Sequence, residues 1–426
     1  MIRLLRTGKH GNKMQVGSGT RLFLYQLVGT WGQLLFPKPW KEFRVWYDTH
    51  KAKSIKPILQ GMVTTGWYKK MGERIWTPWF IKFIHSRGYF NIYTNFLRER
   101  ALSVSHRDAG VNYGKTAGPD SFLLDERSLD FNLLEMQPLS NLKWYDFCFR
   151  EVLPGRVIKS FDELGSVLYS MQKQKTVLLV SLFRASETHT RNLLCHFERL
   201  DIRNYILLGF ESHFVLDLAR RGHPVISADQ LLNSIRGYKL MGFQGSDVVL
   251  IKEILVKAYI IKKCLDSGYN SWVMDTNMLP VNGDAFLDAS DPSYDFSAAK
   301  DSELLFVRSS FTAAEIWVDD LIYKVATMAN SLMDRDSFPS RSRNFGYLAA
   351  KSLEQKGARI KRIDELSFGQ KIGTSYTNQT SFQDGKKMVF WSSEMDLDLI
   401  QRRLEDLDMW IVDGDSSCTA VVCHQS

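Results

Sequence analysis

From about Thr176 onward the sequence predicts an α/β fold: a mostly parallel sheet with helices on both faces. Three observations predict it. Short runs of strand length, residues 176–182 (TVLLVSL), 205–210 (YILLGF) and 271–274 (SWVM), are apolar almost throughout. Strands covered on both faces read this way, whereas half-exposed strands alternate. Between the runs lie stretches whose apolar residues recur at helical spacing, and Gly222 and Gly268 fall where those helices should stop.

Taken in order, residues 176–182 form the first strand. Residues 188–200 form a helix with Leu193, Leu194, Phe197 and Leu200 on one face. Residues 205–210 are the next strand, and 212–221 a helix ended by Gly222. Residues 224–228 make a short third strand. Residues 252–265 make a strong amphipathic helix, with Ile254, Leu255, Ala258, Ile261 and Leu265 inward and Lys252, Lys257 and Lys262 outward. Residues 271–274 then form a strand that runs into Asp275, residues 303–307 another strand, and residues 313–332 a helix. In such sheets ligands bind beyond the carboxyl ends of the strands. Asp275 is therefore the first place to look, and residues 181–190 the second.

The first 150 residues differ in character. A basic lead (Arg3, Arg6, Lys9, Lys13) precedes an uncharged run at 22–36, LFLYQLVGTWGQLLF. That run is shorter than the ~20 residues that span a bilayer. A signal anchor, a buried helix and an interfacial segment all remain open for it. Residues 40–90 mix aromatics with Lys and Arg, which suits base stacking, a membrane-proximal stem or ordinary packing. Residues 109–120 (AGVNYGKTAGPD) read as a linker. Their Gly114-Lys115-Thr116 lacks the leading glycine of a phosphate-binding loop, because Ala109 stands in its place. The expected division is an aromatic and basic N-terminal region, 1–150, with a possible anchor and stem, and an α/β domain, 151–426.

Composition narrows the function classes only coarsely. The 426 residues are 44% hydrophobic and 24% charged, which is ordinary globular material. The net charge of +8 favours anionic partners without choosing one. The five cysteines have neither CxxC nor Cys/His finger spacing, so a structural zinc site is not expected. Their odd number leaves at least one free thiol, and Cys418 and Cys423 are spaced so that they can bridge in an oxidising compartment.

The chemistry-bearing stretch is residues 268–279, GYNSWVMDTNML. A turn, an apolar strand and an acid at the strand's end put oxygens at i and i+2, Asp275 and Asn277. Such a pair can hold a divalent ion that bridges a diphosphate, although Asn adds no charge. A turn-capping Asp followed by an Asn that tolerates a left-handed backbone gives the same spacing. Ser186, Glu187 and His189 are catalytic residue types, but no Gly-x-Ser-x-Gly elbow surrounds them. Asn378-Gln379-Thr380 is a glycosylation sequon, as a lumenal domain would carry. Asp396, Asp398, Asp413 and Asp415 read as surface charges.

The stretch from Asn192 to Asp275 resembles the plant-rich nucleotide-diphospho-sugar transferase family. Four features carry it in order: Arg191-Asn192-Leu193-Leu194 with Cys195, residues 200–210 (LDIRNYILLGF), residues 252–269 (KEILVKAYIIKKCLDSGY), and residues 272–277, where the family carries Asp-x-Asp. The resemblance implies a Rossmann-like sheet of the GT-A kind. It implies transfer of a sugar, with retention, from a nucleotide-diphosphate donor such as a UDP-sugar to a glycan or protein hydroxyl, with Mn²⁺ or Mg²⁺. It places Asn192, Lys252 and Asp275 at the donor and Asp275, Asn277 and His424 at the metal. His424 ends a short strand read at 419–424, and the sequence stops two residues later. Asp284, Asp288 and Asp291 are candidate acceptor contacts or substitute ligands, or else a solvated acidic loop.

The motif here reads Asp-Thr-Asn, and the stretch after it lacks the family's tryptophan. A catalytically weakened or inactive relative, acting as a binding or partner subunit, is therefore the alternative. The residue that assists acceptor deprotonation is not identified. The expected setting is a Golgi membrane with a lumenal domain, and the expected partners are a nucleotide sugar, a glycan or glycoprotein, and a membrane, with no nucleic acid. RNA binding by residues 1–110 is a third reading, which salt-dependent binding would support.

Overall fold

A computed structural model of the chain describes residues 16, 20–29, 33–96, 100–102, 122–125, 138, 141–152, 157–234, 246–286, 293–300, 302–317, 345–373, 382 and 385–424. The chain divides into two units, Met1–Pro154 with Thr419–Ser426, and Gly155–Cys418.

The first unit has its own sheet, ordered Asn91–Thr94, Leu22–Tyr25, Lys143–Tyr145, Glu151–Val152. Leu22–Tyr25 pairs antiparallel with Asn91–Thr94 and parallel with Lys143–Tyr145. The uncharged run at 22–36 thus begins as a sheet strand, Leu22–Tyr25, and not as a helix. Its register explains this: Phe23 and Tyr25 point to one side of the strand, where Phe23 stacks on Tyr93 and the two rings otherwise meet Tyr93, Tyr145 and Phe149 edge-on or tilted. No helix among the described residues is long and apolar enough to cross a membrane.

Helices Pro37–Ala52, Val63–Met71 and Thr77–Arg87 of this unit pack the aromatics of residues 40–90 into a core. Trp46, Trp79, Phe43, Phe80 and Phe83 are all buried in it. These rings are part of a packed core, while Trp76 of the same segment is 42% exposed.

Val421 lies in the same core. Residues 419–424 are not a strand, as the apolar run suggested. They make one isolated parallel bridge, Gln60 to Ala420, with Gln60 N–H donating to Thr419 O and Val421 N–H to Gln60 O. Cys423 is bonded to Cys148. The linker expected at 109–120 and the sequon at 378–380 lie outside the described residues.

The second unit is the predicted α/β fold. Its eight-stranded sheet runs Ile360–Ile363, Phe296–Ala299, Leu305–Val307, Asn270–Asp275, Thr176–Ser181, Tyr205–Gly209, Val225–Ser227, Val157–Ile158. All neighbours pair parallel except the two that flank Leu305–Val307. Thr176–Ser181 is buried along its whole length. Leu178 and Val180 join Leu207, Trp272 and Met274 in a core with Leu193, Phe197, Phe214 and Leu218 from two helices, Glu187–Arg199 and His213–Arg220. The alternate residues Val177, Leu179, Ile206 and Val273 are equally buried, and the long helix Ser246–Asp266 packs on the Asn270–Asp275 strand.

Local chemistry sets the helix ends. Ser212 accepts from Val215 N–H and starts the His213–Arg220 helix. Gly222 and Gly268 follow their helices with φ of +96° and +77°, values that suit glycine. The long helix starts before the predicted Lys252. The predicted 313–332 helix is described only as Phe311–Ile316.

Candidate functional site

The strand order creates the site. From Thr176–Ser181 the chain moves outward to Tyr205–Gly209 and then Val225–Ser227, and returns to Asn270–Asp275 on the opposite side of the first strand. Connections on the two sides diverge there, at the carboxyl ends of the two central strands, the place where open sheets of this kind bind ligands. Ser181 and Asp275 end those strands and stand opposite each other in register.

Beneath this edge the helix Ser246–Asp266 supplies Glu253 and Lys257, one turn apart. Lys257 is fully buried, which corrects its expected outward position. The helix is enclosed over most of its circumference, since Ile251, Val256, Ile260 and Cys264 are buried along with the predicted face. No outward side is left for Lys257, and carboxylates take water's place. Its ammonium lies 2.6 Å from Glu253 Oε1, 3.2 Å from Glu303 Oε1 and 3.5 Å from Asp275 Oδ1. Glu303 precedes the Leu305–Val307 strand and also accepts from the N–H groups of Phe345 and Gly346. Ser181 Oγ donates to Glu253 Oε1 at 3.3 Å, and the Arg184 guanidinium meets Glu253 Oε2 at 3.3 Å.

The charges within the cluster set one another. Burial raises the Asp275 pKa, with Lys257 opposing and Glu253 adding to the rise. Burial pushes Glu303 up to about 7, again against Lys257. Glu253 goes the other way: burial would raise it, but Lys257 and Arg184 prevail. Burial would lower Lys257, and the carboxylates of Glu253, Glu303 and Asp275 outweigh it. The three acidic groups together favour the charged form of Lys257.

Access differs among these groups. The Asp275 side chain is 25% exposed, against 2% for Glu253 and 5% for Glu303. Arg184 follows the first strand and is 50% exposed. Lys252 is half-buried, with Nζ 2.8 Å from Asp229 Oδ1 and 5.7 Å from the centre of the Phe210 ring. Phe210 and Asp229 both come just after strand ends, so Lys252 stands at the same edge of the sheet.

The other sequence-predicted residues are placed as follows. Asn192 is fully buried. Its Nδ2 donates to Met409 O at 3.0 Å and its Oδ1 accepts from Ile411 N–H at 2.9 Å. Asn277 Nδ2 donates to Trp391 O at 3.1 Å, and its Oδ1 is enclosed without a hydrogen-bond partner. His424 belongs to the first unit, and Asp275 to the second. Asp284 is exposed on the segment after Met278–Pro280. Asp288 and Asp291 lie outside the described residues. Ser186 and His189 do meet, Oγ to Nδ1 at 3.1 Å, but His189 Nε2 is enclosed without a partner beside Trp391 and Trp410. That arrangement has no acid to complete a triad.

Sequence reasoning missed Glu253, Lys257, Glu303 and Arg184. The signal for the first two was an acid and a base four residues apart inside an apolar helix.

The residues do not fit the expected divalent cation. A hard ion needs several converging oxygens. Here Asp275 Oδ1 is enclosed and faces an ammonium, Asn277 Oδ1 is enclosed, and its amide nitrogen is bound to Trp391 O. Among the described residues no group of three or more His, Cys, Asp or Glu side chains is arranged to hold a metal.

No protein-family model matches the chain, and no curated protein does. Among solved structures, a glycosyltransferase involved in glycosylation of the major capsid of PBCV-1 is 12% identical, with TM-score 0.31 over 55% of this chain and 98% of that chain. The galactosyltransferase LgtC in complex with donor and acceptor sugar analogs is 10% identical, with TM-score 0.29 over 50% and 86%. Glucosyl-3-phosphoglycerate synthase from Mycobacterium tuberculosis, in complex with Mg²⁺ and uridine diphosphate, is 10% identical, with TM-score 0.27 over 49% and 74%. At these identities and TM-scores none of the three carries a residue role to this chain.

Proposed function

We propose that the Gly155–Cys418 unit binds a nucleotide-diphosphate sugar, most simply a UDP-sugar, and transfers the sugar to a hydroxyl of a glycan or glycoprotein, as a GT-A-type transferase does. One observation carries this reading: the Asp275 carboxylate sits at the carboxyl edge of the sheet, at the point where the strand order reverses. The half-exposed cations Arg184 and Lys252 stand at the same edge. In this reading they face the diphosphate and stabilise the charge that develops as the nucleotide leaves. The outer oxygen of Asp275 accepts a hydroxyl of the donor, and Lys257 holds that carboxylate in place from below.

Two disulfides, Cys148–Cys423 and Cys195–Cys418, support an oxidising compartment such as the Golgi lumen. The bridge left open between Cys418 and Cys423 is not made, and each pairs with a distant cysteine instead.

Titration calorimetry with UDP and UDP-sugars tests the reading. The expected result is saturable binding, weakened at least about tenfold in Asp275→Ala, which corresponds to about 1.4 kcal/mol. Equal affinity in the folded variant removes Asp275 from the site, and no binding by the intact chain overturns the proposal.

A second reading, a binding or partner subunit that keeps the fold without turnover, is favoured by the Asn277 amide being spent on Trp391. UDP-sugar binding without release of UDP in the presence of acceptor glycans supports it.

A further inference from the structure

We propose that the candidate site works without a resident divalent cation, because the Lys257 ammonium already occupies the place where Glu253, Asp275 and Glu303 converge. This inference rests on Asp275 being the ligand-facing acid of the proposed function.

The geometry is that of a built-in cation. Three carboxylates from three different elements converge on one nitrogen, at 2.6, 3.2 and 3.5 Å. They come from the Ser246–Asp266 helix, from the end of the Asn270–Asp275 strand, and from the turn before Leu305–Val307. The nitrogen is supplied by the protein's own interior, on a side chain with no exposed surface. A divalent ion bound at Asp275 Oδ1 would stand within a few ångströms of that ammonium. Two cations at such a distance, in a buried setting, repel far more strongly than in water.

The remaining oxygens do not rescue a metal. Glu303 is held by two backbone N–H groups and by Lys257. Glu253 is held by Lys257, Ser181 and Arg184. Asn277 contributes no accessible oxygen. Only the outer side of Asp275 faces out, and one monodentate carboxylate is a poor anchor for Mn²⁺ or Mg²⁺. The positive charge an anionic ligand requires is present instead on Arg184 and Lys252, which are half-exposed at the same edge.

The test uses the intact chain. Mn²⁺ is titrated against the protein alone and followed by the electron paramagnetic resonance signal of the free ion. UDP affinity is then measured by calorimetry in EDTA and in excess Mn²⁺. The expected results are no protein-bound Mn²⁺ and UDP affinities that agree within about threefold, less than 1 kcal/mol. One equivalent of Mn²⁺ bound by the protein and lost in Asp275→Asn overturns the proposal, as does UDP binding that needs Mn²⁺. If UDP fails to bind under either condition, the transferase reading falls, and the titration of the protein alone still decides this inference.

Lys257→Met supplies an independent arm. Removing the ammonium leaves three carboxylates facing one another, and the variant is expected to gain Mn²⁺ binding and a Tm that rises with added Mn²⁺, while the wild-type Tm does not move. A folded Lys257→Met that gains no affinity for the ion overturns the assignment of Lys257 to the cation's place. Should that variant not fold, the wild-type titrations carry the decision.

Discussion

Asn192 grips the backbone of the chain's last hundred residues with both ends of its amide, giving a hydrogen bond to Met409 O and taking one from Ile411 N–H. Four residues along the same helix, His196 Nε2 bonds the same Met409 carbonyl at 2.8 Å. Between them Cys195 is bonded to Cys418. One helix, Glu187–Arg199, thus fixes the 409–418 segment by three neighbouring side chains. The amide that resembled a donor-binding residue in the sequence has its hydrogen-bonding capacity spent on protein backbone.

Replacement of Asn192 by Ala removes the acceptor that Ile411 N–H uses and one of the two side-chain donors to the buried Met409 carbonyl. The expected loss of stability is about 2–4 kcal/mol, read from urea unfolding. UDP affinity in the folded variant is expected to stay within about twofold of wild type, as for a site without shared partners. A large loss of affinity with little loss of stability reverses this assignment and returns Asn192 to the donor site.

The cysteines give a second measurement. Cys264 is the free thiol and is buried, and burial pushes its pKa up to about 12. Native protein is expected to react slowly, if at all, with a thiol reagent. Protein denatured without reductant should show one reactive thiol, and reduced protein five. Replacing Cys195 and Cys418 by Ser should cost about 2–5 kcal/mol. Three reactive thiols in the unreduced, denatured chain eliminate one of the two bonds.

Much of the second unit was legible because its signals are local. Strand-length apolar runs at 176–182, 205–210 and 271–274 and the glycines at 222 and 268 each report on a few neighbouring residues. The site was legible only at Asp275, where a strand ends in an acid. Glu303 and Lys257 are 46 residues apart, and nothing near either announces the other. Lys257 was misplaced because a lysine in an amphipathic pattern is normally a solvated one. Asn277 was read as a weakened Asp, when its amide nitrogen is what Trp391 O requires. The disulfides escaped for the same reason: their partners lie 275 and 223 residues apart, and only the fold brings them together.

His196 makes acid sensitivity a prediction with a definite sign. Burial lowers its pKa to about 4, with the Met409 carbonyl opposing. The folded state therefore holds it neutral, while the unfolded chain takes up a proton near pH 6.5. Its contribution to stability is fully present above pH 6.5 and is lost as pH falls toward 4. Wild-type protein should lose more stability between pH 7 and pH 5 than His196→Gln, compared by thermal unfolding. Parallel curves for the two proteins contradict this account of His196.

Asn277→Asp separates two views of the motif. If Asn277 is a weakened metal ligand, restoring the carboxylate should create Mn²⁺ affinity. Its surroundings argue the reverse. The Asn277 side chain donates to Trp391 O, and its own carbonyl accepts from Trp391 N–H at 3.1 Å, so the residue straps two segments together from both sides. A carboxylate there loses the donor and sets a negative charge against a carbonyl oxygen. Stability should fall by about 1–3 kcal/mol, the cost of leaving a buried acceptor unpaired. Mn²⁺ affinity should not appear, because the Lys257 ammonium still faces Asp275. A variant that keeps its stability and binds one Mn²⁺ shows that the strap is dispensable and that the motif lacks only a charge.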